Sequence, residues 1–226
     1  MVLALLLLFA LALLAPLLHR RARSATGWLL ALAPTGSALA FGALGSGLAP
    51  GERVLVAWEW SPELGIRLSF ALDGLSLLFV LLICGIGALV LVYAGGYLAE
   101  HLQLGRFYAF LLLFMGAMLG LVLADNLLTL FVFWELTSIS SFLLIGFTHE
   151  RIESRAAARQ ALLITGGGGL ALLVGLIMLG IAGGSYELSE LLARGDALRA
   201  HPLYGAILAL VLVGAFTKSA QFPFHF

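Results

Sequence analysis

The chain has 226 residues, of which 62% are hydrophobic and only 11% charged, and its twelve basic and twelve acidic side chains cancel to a formal net charge of zero. A soluble domain carries about 25% charged residues, so lipid is the natural solvent for most of this surface. Nothing in a neutral chain points to nucleic acid; a single cysteine, Cys84, cannot make an internal disulfide, and no Cys/His cluster has metal-ligand spacing.

A membrane-spanning helix needs about 20 mostly apolar residues. Seven segments fit, at about 2–18, 27–49, 73–94, 107–124, 127–147, 160–182 and 203–226. The fold class predicted is all-α: a polytopic membrane helix bundle of about seven transmembrane helices, with a short β-hairpin in an outer loop and a broken seventh helix. The first segment is not a signal peptide in pattern, because its positive charges, Arg20, Arg21 and Arg23, follow the apolar run instead of preceding it. It reads as a first span with the N-terminus outside. Loops after segments one, three and five hold seven arginines, against four (Arg53, Arg67, Arg194, Arg199) in the other set. The positive-inside rule places the first set in the cytoplasm.

After the second segment, Val54-Leu55-Val56-Ala57-Trp58-Glu59-Trp60 has strand composition, Ser61-Pro62-Glu63-Leu64-Gly65 is turn chemistry, and Ile66-Arg67-Leu68-Ser69-Phe70 alternates. This reads as an outer hairpin, or else as an irregular interfacial loop anchored by Trp58 and Trp60. Cys84 sits in the run Leu81-Leu82-Ile83-Cys84 and packs as a small hydrophobe. Asp73 and Asp125 mark helix starts and suit caps. Ala124-Asp125-Asn126 is so short that segments four and five must form a tight antiparallel hairpin, with Asn126 or Asp125 capping the fifth helix. Gly166-Gly167-Gly168-Gly169 lies inside an apolar span. There small residues let helices approach closely; the alternative is a local break or hinge.

Two charges stand apart from the loops. Glu135 lies about eight residues into the fifth helix, so about 12 Å deep. Lys218 lies about 15 residues into the seventh segment. A charge at the bilayer centre costs at least about 2.5–3.5 kcal/mol, so each is expected to face the bundle interior or a hydrated cavity. An intramembrane ionisable residue is a functional hypothesis by default. The structural alternatives are an ion pair or protonated acid at Glu135 and a helix-bridging cation at Lys218. Thr137, Ser138, Ser140 and Ser141 follow Glu135 within two turns. Lys218, Gln221 and His225 share one face if the helix continues. Pro223 lacks an N–H and interrupts that helix, freeing the Ser219 carbonyl. His225 is a candidate proton relay or an interfacial polar residue. His19, His101, His149 and His201 read as solvated or interfacial.

At these residues a resemblance enters. Residues 126–138, Asn-Leu-Leu-Thr-Leu-Phe-Val-Phe-Trp-Glu-Leu-Thr-Ser, resemble the fifth-helix motif of the antiporter-like membrane subunits, which include Mrp-type sodium/proton antiporters and respiratory complex I. Residues 214–226, Gly-Ala-Phe-Thr-Lys-Ser-Ala-Gln-Phe-Pro-Phe-His-Phe, resemble that family's broken seventh helix, and Asp73-Gly74-Leu75-Ser76 a weaker motif at its third. Residues 133–147 and the Phe-Pro-Phe-His ending are more similar to the large Mrp subunit than to complex I. The resemblance implies a secondary transporter subunit, not an enzyme, that moves Na+ against H+ with other subunits of a hetero-oligomeric complex in a bacterial inner membrane. It implies Glu135 and Lys218 as proton-path charges, Pro223 and His225 as functionally placed positions, and no cofactor or metal. It makes 1–226 the N-terminal part of the family domain, with peripheral helices over about 2–94 and the start of the proton-path helices over about 107–226. Family members are far longer, so a fragment or truncated reading frame is expected here, without a complete path. The runner-up function is a proton-pumping subunit of a complex I-like oxidoreductase or hydrogenase; a third reading is a structural membrane segment. Neighbouring genes separate the first two.

Overall fold

In the computed structural model of the protein, residues 1–49, 51–61 and 66–225 are described. Among them the helices are α1 (Val2–Ala22), α2 (Thr26–Gly45), α3 (Gly74–Tyr97), α4 (Leu104–Leu123), α5 (Leu127–Ile145), α6 (Ile152–Gly183), α7 (Leu188–Ala193), α8 (Gly195–Arg199) and α9 (Tyr204–Lys218). Strands β1 (Val54–Ser61) and β2 (Ile66–Leu72) pair as a two-stranded sheet, so the segment after α2 is a hairpin and not an irregular loop. Of its predicted turn, 61–65, Ser61 is the last residue of β1 and 62–65 lie outside the described residues. A connection that short joins only antiparallel strands.

Among the described residues, five apolar helical runs are long enough to cross a membrane. Each of the seven predicted segments carries a helix, but α1 and α2 form one 44-residue run around a 3-10 turn at Arg23–Ala25, and α9 has only 15 residues. Large apolar side chains face outward on these helices, among them Leu3, Leu13, Leu89, Leu163 and Ile181. Such a surface is matched by lipid and mismatched to water.

The chain divides into two compact units. The first, Met1–Val54 with Ala71–Leu123, holds α1 to α4. Here α1 packs on α4, α2 on α3, α3 on α4 and α1 on α2. The chain reverses at Arg23, whose φ of 42° lies in the left-handed region. Helix α3 starts with a capping box: Asp73 Oδ1 accepts from the Ser76 N–H at 2.9 Å and Ser76 Oγ from the Asp73 N–H at 2.8 Å. These bonds satisfy otherwise orphaned backbone donors. Asp73 is thus a cap.

The second unit is Leu55–Phe70 with Ala124–Phe226. Helix α6 lies between α5 and α9 and packs against both. It is continuous through Gly166–Gly169, so the close-packing reading of that run holds and the break does not. The cap of α5 is Asn126, whose Oδ1 accepts from the N–H groups of Leu128 (3.0 Å) and Thr129 (3.3 Å). Asp125 instead accepts from the backbone N–H (3.1 Å) and hydroxyl (2.7 Å) of Ser189.

One expectation is corrected. Helix α9 ends at Lys218, five positions before Pro223, so the proline does not break it from within. The Gln221 N–H bonds back to the Phe216 carbonyl at 3.0 Å, across Ala220 at φ 51°. That six-to-one bond around a left-handed residue is a Schellman termination. Ser219 is already the C-cap. Its carbonyl therefore stands outside the helical ladder and is not freed by Pro223.

Candidate functional site

Glu135 is the ninth of the 19 residues of α5, and its side chain meets α6. A Cβ built on Gly169 would overlap Glu135 Oε1, and one on Gly168 would overlap Thr217 Oγ1 of α9. Glycine at these two positions is what allows α6 to sit against both neighbours. Glu135 Oε1 and Trp134 Nε1 are buried atoms without a hydrogen-bond partner among the described residues. An unpaired buried carboxylate oxygen is costly.

Lys218 reaches the same region from the end of α9. Its Nζ donates to Ser138 Oγ at 2.6 Å and to the Trp134 carbonyl at 3.4 Å, and lies 5.4 Å from the centroid of the Trp134 ring. That spacing is within cation–π range. Ser138 is three residues after Glu135, on the adjacent turn of one helix. The two charges interact electrostatically, yet no ion pair within 4.0 Å joins them among the described residues. The arrangement is one acid on α5 and one base at the end of α9, both helices packed on α6.

The other predicted residues fall outside this cluster. The hydroxyls of Thr137, Ser140 and Ser141 donate to carbonyls of their own helix, at 2.7 Å (Trp134), 2.6 Å (Leu136) and 2.9 Å (Ser138). His225 is exposed and stacks on Phe222 with ring centroids 5.5 Å apart. Pro223 is exposed in the turn after α9. Because α9 stops at Lys218, Lys218, Gln221 and His225 do not share a helical face.

The family described as "NADH:quinone oxidoreductase/Mrp antiporter, TM" matches residues 124–226, which contain the whole cluster, and "NADH-Ubiquinone oxidoreductase (complex I), chain 5 N-terminus" matches residues 58–108. The A1 subunit of a Na(+)/H(+) antiporter of Staphylococcus haemolyticus is 47% identical over 215 residues, 95% of this chain. The chain belongs to the antiporter-like membrane-subunit family. It is a multi-pass membrane protein, as its apolar helices require.

Further relatives agree within this family. The A/B subunit of a probable K(+)/H(+) antiporter of Rhizobium meliloti is 59% identical over 168 residues, 74% of the chain. The solved Mrp complex from Dietzia sp. DQ12-45-1b contains a chain that superposes with a TM-score of 0.87 at 38% identity over 99% of this chain. A chain of the archaeal membrane-bound sulfane sulfur reductase shares the fold, with a TM-score of 0.75 at 22% identity, covering 99% of this chain and 34% of its own length. The chain spans 17% and 27% of the length of the two curated relatives and 24% of the Mrp chain.

A second polar cluster escaped sequence reasoning. Glu187, 9% exposed, accepts from the Asn126 side-chain amide at 3.0 Å and from the Ser69 hydroxyl. Glu187 stands at the start of a short helix in a polar connection, where nothing local distinguishes it from a solvated acid. Only its partners, 61 and 118 residues away, reveal it.

Proposed function

We propose that this chain is the proton-translocating part of a multi-subunit monovalent cation/proton antiporter, a secondary transporter and not an enzyme, with Glu135 and Lys218 as charges of the proton path. The observation that carries this reading is Lys218 Nζ of α9 bonded to Ser138 beside Glu135 of α5, with both helices held on α6 by glycine. Separation or engagement of the pair changes how strongly each holds its proton, which couples a charge event at one site to proton release at the next. Fifteen residues make α9 about 22 Å long, shorter than a hydrocarbon layer of about 30 Å. A helix that begins at one interface therefore ends inside the membrane, and Lys218 ends it there. Pro223 and His225 are assigned to the turn that continues the path beyond Lys218.

The topology proposed is seven spans with the N-terminus outside the bacterial inner membrane, α1 and α2 each crossing once. Seven arginines on one set of loops against four on the other support it. Na+ or K+ is the exchanged cation by the names of the antiporter relatives, and other antiporter subunits are the partners. The second reading, a proton-pumping component of a redox complex, draws on the family description shared with quinone oxidoreductases.

The test replaces Glu135 by Gln and Lys218 by Ala in the assembled complex and follows cation-driven collapse of a pH gradient in inverted vesicles. Neither the amide of Gln nor the methyl of Ala exchanges a proton, so each variant is expected to lose about tenfold or more of the rate at normal assembly. Full activity in either variant overturns the assignment. Gradient formation driven by an electron donor, with no response to Na+ or K+, favours the redox reading.

A further inference from the structure

The first unit contains a cavity of about 690 Å³ between the end of α1 and the α3–α4 connection, whose lining includes the polar side chains of His19, Arg20, Arg23, Ser24, Glu100 and His101. We propose that it is a binding site for a phosphate group, carried by an anionic phospholipid headgroup or by free phosphate. Arg20 and Arg23 supply the charge. Neither guanidinium pairs with a carboxylate among the described residues, and Glu100, the acid lining the cavity, lies beyond ion-pair distance of both. A guanidinium presents a planar fork of donors that matches two phosphate oxygens at once.

The site is built, beyond being charged. Arg23 sits at φ 42°, a backbone setting that favours glycine, and its place at the chain reversal brings it into the same cavity as Arg20. His19 is held by Thr26, Nδ1 to Oγ1 at 3.3 Å. Behind the cavity wall at Gly95, the Tyr108 hydroxyl is fully buried and has no hydrogen-bond partner among the described residues, 3.1 Å from where a Cβ on Gly95 would stand. The arginines end a 21-residue apolar helix, which sets them at headgroup level. Clusters of basic residues at that level attract anionic lipid.

The test is native mass spectrometry of the purified full chain, with any co-purifying subunits, titrated with phosphatidylglycerol, phosphatidylcholine and inorganic phosphate. Retention of phosphatidylglycerol over phosphatidylcholine is expected. Joint Arg20→Gln and Arg23→Gln substitution is expected to weaken phosphatidylglycerol binding by about tenfold or more. Arg21→Gln, one position away but outside the cavity lining, is expected to leave it unchanged. Ala99→Trp, which fills the cavity from an exposed position and touches no charge, is expected to weaken it as well. Phosphatidylglycerol retained in millimolar inorganic phosphate identifies the headgroup as the ligand. Displacement by inorganic phosphate, with thermal stabilisation of the wild type but not of the double variant, identifies the free ion. Equal loss in Arg21→Gln, or no loss in either the double variant or Ala99→Trp, overturns the proposal.

Discussion

Lys218 holds its ammonium on one hydroxyl and one carbonyl of α5, and the hydroxyl is the shorter contact. A hydrogen bond to a charged group is worth about 1.5–3 kcal/mol. Ser138→Ala is therefore expected to let Lys218 leave this position and to change the transport rate about tenfold, with its pH profile displaced; Ser138→Thr keeps the hydroxyl and should run close to wild type. Gradient collapse in vesicles at several pH values checks both, and an unchanged profile in Ser138→Ala removes Ser138 from the path. Glu135 and Lys218 were legible in the sequence because a charge in an apolar run is expensive wherever the run folds. Ser138 was legible only as one of four hydroxyls. Distance selects it: all four donate to carbonyls of their own helix, Ser138 to Trp134 at 3.4 Å, but only Ser138 also receives Lys218.

At the scale of elements, α6 decides how near the two charges come. Its four consecutive glycines are not equivalent. A Cβ at Gly166 or Gly167 meets nothing within 4 Å, whereas Gly168 and Gly169 face Thr217 and Glu135. Gly169→Ala forces the Glu135 carboxylate or the helix to move, an overpacking cost of about 1–3 kcal/mol. Gly166→Ala adds a methyl in open space and gains up to about 1 kcal/mol of helix propensity. Thermal unfolding of the purified protein should therefore fall for Gly169→Ala and hold or rise for Gly166→Ala; the same sign for both contradicts the packing. Composition showed that the run was small, and the apolar setting argued for close packing, but which two glycines make it depends on helix rotation. The end of α9 was misread for a related reason. Proline is a strong local signal, while the Schellman bond from Gln221 to Phe216 closes over Ala220, an unremarkable residue in sequence.

At the scale of the chain, the start of α5 ties segments far apart in sequence within the second unit. Asn126 caps α5 and donates to Glu187, Ser69 donates to Glu187, and Thr129 Oγ1 donates to the Arg67 carbonyl at 3.1 Å. Asn126 is fully buried. Asn126→Ala loses a cap worth about 1 kcal/mol and leaves Glu187 short of a donor, a further 1–3 kcal/mol or so. Asn126→Asp keeps the cap but sets a second carboxylate against Glu187. Both are expected to lower the unfolding temperature and to expose the β2 and α6–α7 segments to protease; an unaltered digestion pattern contradicts the tie.

The sequence alone determined the lipid setting, the helical class, the strand-like alternation before α3, a cap at Asp73 and one at the start of α5, and the two anomalous charges; that the strands pair and that Asn126, not Asp125, caps α5 came from the structure. Each feature legible in the sequence follows from local chemistry: hydrophobic length, alternation, cap residues, or the cost of an ion in hydrocarbon. Tertiary structure alone decided which hydroxyl meets Lys218, which glycines admit Glu135 and Thr217, where α9 stops, and that Glu187 is buried. Those outcomes depend on the rotation and approach of helices from distant parts of the chain, and a buried acid looks like a solvated one until its partners are brought to it.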